Sequence, residues 1–301
     1  MNNDLIQIDC TLRDGGYYNN WDFSNILIKE YLNAIAKTSI NFVEIGFRTT
    51  LNKGFKGALA FSKDEFLNTL DIPEDIGIGV MVNASDLGSN SEHLENLKIL
   101  FPNDAQISPV KLVRLACYSY QIDIALEASK WLVQRGFKVG INLMQISEIE
   151  NNDLINITQK INNYPISVFY FADSLGCLRP NEIIKIVETI KKFSLKSIGI
   201  HAHDNLGLAF CNTIIAKENG VKWLDSTISG MGRGPGNCKT EDLLLDLDFK
   251  NSKSSDIAPV LFLINKYFSK LREKYKWGTN PYYFLSGKYK IHPSYMQSLI
   301  N

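Results

Sequence analysis

Neither sign of charge is in excess in this 301-residue chain, where 32 Lys and Arg stand against 32 Asp and Glu for a formal charge of zero. With no basic surplus to neutralise a phosphate backbone or hold an anionic bilayer, neither nucleic acid nor a membrane is expected as a partner. Long hydrophobic runs are missing too. No stretch reaches the roughly 18 apolar residues of a membrane-crossing helix. The opening MNNDLIQIDC lacks the charged start and apolar run of a secretory signal, so a cytoplasmic location is expected. Cysteine is scarce: Cys10, Cys117, Cys177, Cys211 and Cys238 are odd in number, widely spaced and form no C-x-x-C pair. That excludes a disulfide framework or a zinc ribbon and predicts free thiols, with Cys10, Cys117, Cys177 and Cys238 packed as small apolar groups. Histidine is scarcer still, at four residues, so two of them close together carry weight.

What the chain does have is the composition of a globular protein, 45% hydrophobic and 21% charged, and a repeated alternation. Apolar, β-rich runs recur at 6–10, 42–47, 76–83, 110–117, 138–145, 168–174, 197–203 and 223–229. Continuous runs of that length mark strands buried on both faces, as in parallel sheets. Between them lie stretches with apolar residues at helical spacing, such as 26–36, 122–134, 181–193 and 207–218. Eight strands alternating with helices predict an α/β fold, a (β/α)8 TIM barrel over residues 4–245. Residues 246–301, with a helical pattern at 256–275 and the aromatic-rich end WGTNPYYFLSGKYKIHPSYM, are expected to form a short C-terminal helical extension packed on the barrel.

In such a barrel the chemistry sits at the C-terminal strand ends. Those ends carry Arg13 and Asp14, Glu44, Asn83, Arg114, Asn142, Asp173, His201 and His203, and the segment 227–237, more polarity than a packed core requires. His201 and His203 are two apart, so on a strand both imidazoles face the barrel mouth above small Ser197 and Gly199 and make half a metal site. Asp14, at the end of the first strand, can reach the same place, with Gly15 and Gly16 read as a tight turn that turns Arg13 and Asp14 together toward the mouth. Gly230, Gly232, Gly234 and Gly236 permit close backbone approach to a ligand, while no β-α-β unit with a ribose-binding acid supports a dinucleotide there.

Three segments, DCTLRDGG at 9–16, HAHDNLGLA at 201–209 and GMGRGPGN at 230–237, resemble the signatures of the metal-dependent aldolase and Claisen-condensing barrels, the HMGL-like or DRE-type TIM-barrel metallolyases. The resemblance spans about residues 4 to 245. It implies a divalent metal, Mn2+ or Mg2+ before Zn2+ or Co2+, held by Asp14, His201 and His203 with Asn237 as a fourth or outer ligand. It also implies that Arg13 stabilises an enolate oxygen, with Glu44 orienting Arg13 or a water.

Departures from the pattern select among branches. The glycine loop has no cysteine before Cys238, unlike the CoA lyases, and Arg233-Gly234 replaces the Glu-Arg pair of the condensing enzymes. Ala172 precedes Asp173 where the carboxyltransferases place a modified lysine. The loop most resembles the pyruvate aldolase branch, that of 4-hydroxy-2-oxovalerate aldolase. This implies a lyase that forms or cleaves a 4-hydroxy-2-oxo acid from pyruvate, or another 2-oxo acid, and an aldehyde, through a pyruvate enolate held on the metal. Tyr17 occupies the place of that branch's catalytic histidine, which makes it a candidate acid/base or a wall of the aldehyde pocket, with His292 or a water as the other candidate base. A homodimer is compatible with the sequence, and a partner dehydrogenase is not assumed. The competing readings are an acetyl-CoA-dependent Claisen condensing enzyme and a non-catalytic metal-binding homologue.

Overall fold

A computed structural model describes residues 5–88, 92–250 and 256–300. The expected barrel start at residue 4 and the stretch 251–255 of the expected extension lie outside the described residues. The apolar runs form β1 (Ile6–Asp9), β2 (Phe42–Phe47), β3 (Gly77–Asn83), β4 (Val110–Cys117), β5 (Lys138–Leu143), β6 (Val168–Asp173), β7 (Ser197–Ala202) and β8 (Trp223–Ser226). Each pairs in parallel with the next, and β1 pairs with β8, which closes a TIM barrel. Around it lie α1 (Thr11–Asn19), α2 (Asn25–Ile35), α3 (Asp64–Leu67), α4 (His93–Leu100), α5 (Ile122–Gln134), α6 (Asn151–Ile161), α7 (Pro180–Phe193), α8 (Ala209–Glu218) and α9 (Thr240–Lys250). The helix α7 shows why these segments are helical. Pro180 sits in its first turn, Glu182 accepts from the Arg179 N–H at 2.8 Å, and Ile183, Val187 and Ile190 recur at helical spacing and are buried.

The barrel interior is layered. Ile8, Phe42, Leu112, Val168, Tyr170 and Trp223 form an apolar plug, with Phe42 and Trp223 stacked at 6.0 Å. Charged side chains share the interior with it, among them Glu44, Arg114 and Asp225, each at most 2% exposed. Two glycines make room for the large residues: a Cβ on Gly199 would stand 2.5 Å from the Tyr170 ring, and one on Gly140 would stand 3.4 Å from Arg114 Cγ.

One element departs from the expectation. Residues 11–19 form a helix that begins one residue after β1, so Gly15 and Gly16 are helical and no tight turn follows the strand. Glycine costs a helix about 1 kcal/mol relative to alanine, and packing is what compensates. A Cβ on Gly15 would lie 2.8 Å from Met231 Sδ, and one on Gly16 would lie 2.0 Å from the Trp21 ring.

Beyond α9 the chain continues as α10 (Ala258–Leu263), a π turn over Ile264–Phe268, α11 (Ser269–Tyr275), α12 (Pro281–Lys288) and α13 (Pro293–Ile300). This segment ties back to the C-terminal strand ends. Trp277 donates to the Ser229 carbonyl at 2.9 Å, Thr279 to Asp204 at 2.8 Å, and Asn205 to Ser286 at 2.8 Å. Among the described residues no helix is long and apolar enough to cross a membrane.

Candidate active site

Because α1 follows β1 directly, Arg13 and Asp14 leave its first turn at the barrel mouth. Arg13 Nη1 donates to Asp14 Oδ1 at 3.0 Å, and Asp14 Oδ2 lies 3.4 Å from His201 Nε2. His201 lies in β7 and His203 just past its end, where it bridges to Asn237 of the glycine loop. The two imidazoles stand edge to face at 5.1 Å. Ligand atoms of Asp14, His201 and His203 lie within 4.8 Å of one another, and all three residues are buried. The Asp225 carboxylate, 2.8 Å from His201 Nδ1, accepts the proton of that nitrogen, while Nε2 is 3.0 Å from the Asn237 amide nitrogen. His201 therefore keeps its Nε2 lone pair on the side of Asp14 and Asn237, the tautomer a metal ligand needs.

Four buried polar atoms have no hydrogen-bond partner here: Asp14 Oδ2, His203 Nδ1, Asn237 Oδ1 and Arg13 Nη2. Leaving such an atom unsatisfied costs about 1–3 kcal/mol, so a cluster of them marks a place where a ligand completes the structure. The loop is shaped for the same purpose. A Cβ on Gly232 would meet Asn237 Oδ1 at 1.9 Å and Asp14 Oδ2 at 3.1 Å. One carboxylate, two imidazoles and an amide fit a divalent cation, and this mixed donor set accommodates Mn2+ and Mg2+ as well as Zn2+ and Co2+. A second grouping, Cys10 with His201 and Asp225, does not fit. Burial pushes the Cys10 thiol well up, and Arg114 Nη2 already donates to its sulfur at 3.2 Å.

Below the mouth runs a charged network. Arg114 donates through Nε and Nη2 to the two Glu44 oxygens at 2.7 Å each, and through Nη1 to Asp225 at 2.5 Å. Glu44 in turn accepts from Arg13 Nε at 2.7 Å. Burial works against every one of these charges, and pairing overcomes it. Arg13 holds Asp14 well below the usual carboxylate range, Arg114 and Arg13 hold Glu44 down, and Arg114 with His201 holds Asp225 at about 2. Three carboxylates thus face two guanidiniums, and the surplus draws positive charge to the mouth: against burial, Asp14 and Asp225 also raise the His201 pKa. Burial also keeps His203 well below its ordinary value, against the pull of Asp14, so it is neutral and able to ligate.

The other expected residues fall in different places. Glu44 lies within β2 rather than at its end. Asp173 turns to the backbone N–H groups of Cys177 and Leu178 at 3.0 and 3.1 Å and caps its own loop. Tyr17 keeps 37% of its surface exposed, between Trp21 at 4.9 Å, Phe47 at 6.0 Å and the Arg233 guanidinium at 5.6 Å. Burial raises its phenol pKa, partly offset by Arg233. His292 contacts Ser294 Oγ at 2.6 Å and is lowered to about 4 by burial and Arg233. Asp225, which sequence reasoning misses, joins the site through Arg114 and His201. Its only local signal is a carboxylate inside a buried strand, and the bonds that give it meaning reach back to Arg114 and His201.

Fold and centre together define a class: a closed α/β barrel with a buried carboxylate and two imidazoles at the C-terminal ends of its strands. The chain belongs to the HMGL-like family, whose profile matches residues 110–259. It is 33% identical to the N-terminal domain of a "putative aldolase" from Bacteroides vulgatus, whose crystal structure superposes with a TM-score of 0.89 over 98% of this chain and 96% of that one. It is 26% identical to an oxaloacetate decarboxylase of Mycobacterium tuberculosis, over 80% of this chain and 69% of the relative. It is also 25% identical to a 4-hydroxy-2-oxovalerate aldolase of Brevibacillus brevis, over 82% of this chain and 71% of the relative.

Proposed function

We propose that the chain is a divalent-metal-dependent carbon–carbon lyase that forms or cleaves 4-hydroxy-2-oxo acids from pyruvate and an aldehyde. The observation that carries this reading is the group of unsatisfied buried atoms on Asp14, His203, Asn237 and Arg13 around one point of the mouth. Asp14, His201 and His203 hold the cation, with Asn237 as the further ligand, and Asp225 fixes the His201 tautomer. When bound, the cation supplies Lewis-acid polarisation of the keto group. Arg13, whose Nε is fixed by Glu44, keeps Nη2 free to donate to the oxygen on which enolate charge develops. Glu44 acts through Arg13 and is a positioning residue. Arg233 pairs with no carboxylate among the described residues and has its Nε buried without a partner, so it supplies a second cation for the acid's carboxylate. Tyr17, its phenol held protonated, serves as a wall of the aldehyde side rather than as the base.

One observation favours a second reading, β-decarboxylation of oxaloacetate. That reaction yields the same pyruvate enolate without removal of a hydroxyl proton, and the two candidate bases are poorly tuned for such a removal: Tyr17 is raised and His292 lies at about 4. Both readings share one test. The Mn2+-supplemented protein is incubated with pyruvate in D2O and exchange of the methyl protons is followed by NMR, beside parallel assays of 4-hydroxy-2-oxovalerate cleavage and oxaloacetate decarboxylation. Exchange with aldol cleavage is expected. Decarboxylation without aldol cleavage selects the second reading, and absence of exchange, cleavage and decarboxylation alike with any divalent metal rejects both.

A further inference from the structure

Beside the centre, between the ends of β2 and β3, lies a cavity of about 200 Å³ lined by Tyr17, Trp21, Phe47, Lys56, Asn83 and Asp86, among others. It adjoins the chemistry through its walls. The Arg13 guanidinium lies 5.8 Å from the Phe47 ring centre, and Tyr17 stands between Trp21 and the Arg233 guanidinium. Resting on the lyase reading above, we infer that this cavity is the subsite of the second substrate and that it takes a hydroxylated aldehyde of at least four carbons.

Size gives the first reason. At about 30 Å³ of liquid volume per water, the cavity holds several water-sized groups, far more than a two-carbon aldehyde requires. The lining gives the second. Tyr17, Trp21 and Phe47 meet edge to face, with centroids 4.9, 5.5 and 6.0 Å apart, and offer a rigid apolar wall to the C–H face of a chain. Opposite chemistry stands at the rim. Among the described residues the Asn83 amide has no hydrogen-bond partner and the Asp86 carboxylate accepts from Ser85 alone, while the Lys56 ammonium rests over Trp21 at 5.5 Å. A purely apolar aldehyde would desolvate these groups and pair none of them. An aldehyde with an anionic end would meet Lys56 and Asp86 together, whose charges oppose one another. Hydroxyl groups, which both donate and accept, satisfy an amide, a carboxylate and an ammonium at once. The reaction is balanced without an oxidant or reductant: C3 of pyruvate bonds to the aldehyde carbon, the C3 proton leaves, and the aldehyde oxygen gains a proton.

The test uses the Mn2+-loaded protein with pyruvate and four aldehydes: acetaldehyde, butanal, D-erythrose and D-erythrose 4-phosphate. The kcat/KM for erythrose should exceed that for butanal by about tenfold or more. Asp86→Ala and Asn83→Ala should each lower kcat/KM for erythrose about tenfold and for butanal far less, so that most of the advantage disappears. Butanal equal to or better than erythrose overturns the inference, as does a phosphate-ended aldehyde preferred over erythrose with the preference abolished by Lys56→Ala. Exchange that persists while the erythrose preference is absent rejects the subsite and spares the lyase reading. Saturation-transfer NMR with threitol against butane-1,4-diol reads the cavity without turnover. The threitol signal should be the stronger of the two and should collapse in Asp86→Ala, whereas equal signals from the two alcohols reject the subsite even in a protein that shows no exchange.

Discussion

Around β1, β7 and β8 the mouth is closed and committed. Arg13, Asp14, His201, His203 and Asn237 are at most 5% exposed, and Arg13, Asp14 and His201 connect through Glu44, Arg114 and Asp225 to the middle of the barrel. Around β2 and β3 the same rim is open. Tyr17 is 37% exposed, Leu51 49% and Phe55 73%, and the segment after β2 runs without helix or strand until Ala58. The first side rests on strands and one helix turn, so its geometry is fixed by the barrel. The second is completed by the loop after β2, where side chains change without disturbing the centre. Chemistry on the rigid side and choice of partner on the loop side is the division this contrast implies.

The comparison breaks most visibly on the rigid side. On the proposed site His203→Ala removes one of the two imidazoles, so metal content, measured by elemental analysis after dialysis, should fall to background, and turnover with it. Full occupancy and rate in this variant would refute the assignment of the centre. Arg13→Lys should retain the metal yet lose about 10²–10³ in kcat, because an ammonium lacks the planar fork that sets one N–H on Glu44 and aims another at the reacting oxygen. An unchanged rate ends that role. Asp225→Asn keeps the shape but offers an N–H to His201 Nδ1, which drives the imidazole proton to Nε2. Mn2+ affinity, titrated by EPR, should weaken about 10- to 100-fold, and Asp225→Glu should recover part of it.

The same carboxylate predicts a pH effect. Folded Asp225 sits at about 2, below an unfolded value of about 3.9, so the unfolded chain binds its proton more readily. The stabilisation, on the order of 2 kcal/mol, is present above about pH 4 and is lost as pH falls from 4 toward 2. Urea titrations should therefore show the gap between the parent and Asp225→Asn narrowing across that window; a gap independent of pH contradicts the pairing. The smallest effect belongs to the open side. Tyr17→Phe should shift aldehyde KM several-fold and leave pyruvate proton exchange untouched. Loss of exchange would make Tyr17 the proton shuttle instead.

Much of the barrel is legible in the sequence because its information is local. A strand buried on both faces writes itself as an apolar run, so all eight strands appear where the runs predict, with ends that differ by up to three residues. The largest overrun, at β8, reaches Ser229, whose backbone is left-handed at φ 53°. The histidine pair is legible for the same reason, a spacing of two. What stays hidden is nonlocal. Gly15 and Gly16 argue against a helix, yet within that helix Met231 and Trp21 leave no room for a Cβ at either position. Arg114 and Asp225, 111 residues apart, gain their meaning only when the barrel closes.

The absence of any loop between β1 and α1 has a consequence for how the sequence can change over generations. Each residue added to a helix rotates everything after it by about 100°, so one inserted codon between Cys10 and Arg13 would swing the guanidinium and its neighbouring carboxylate to another face. Replacement of a side chain there is graded, whereas a change of length is all or nothing. Length variation among descendants should therefore accumulate between residues 49 and 57 and be purged between 9 and 14, a pattern a library of single-codon insertions and deletions would display directly.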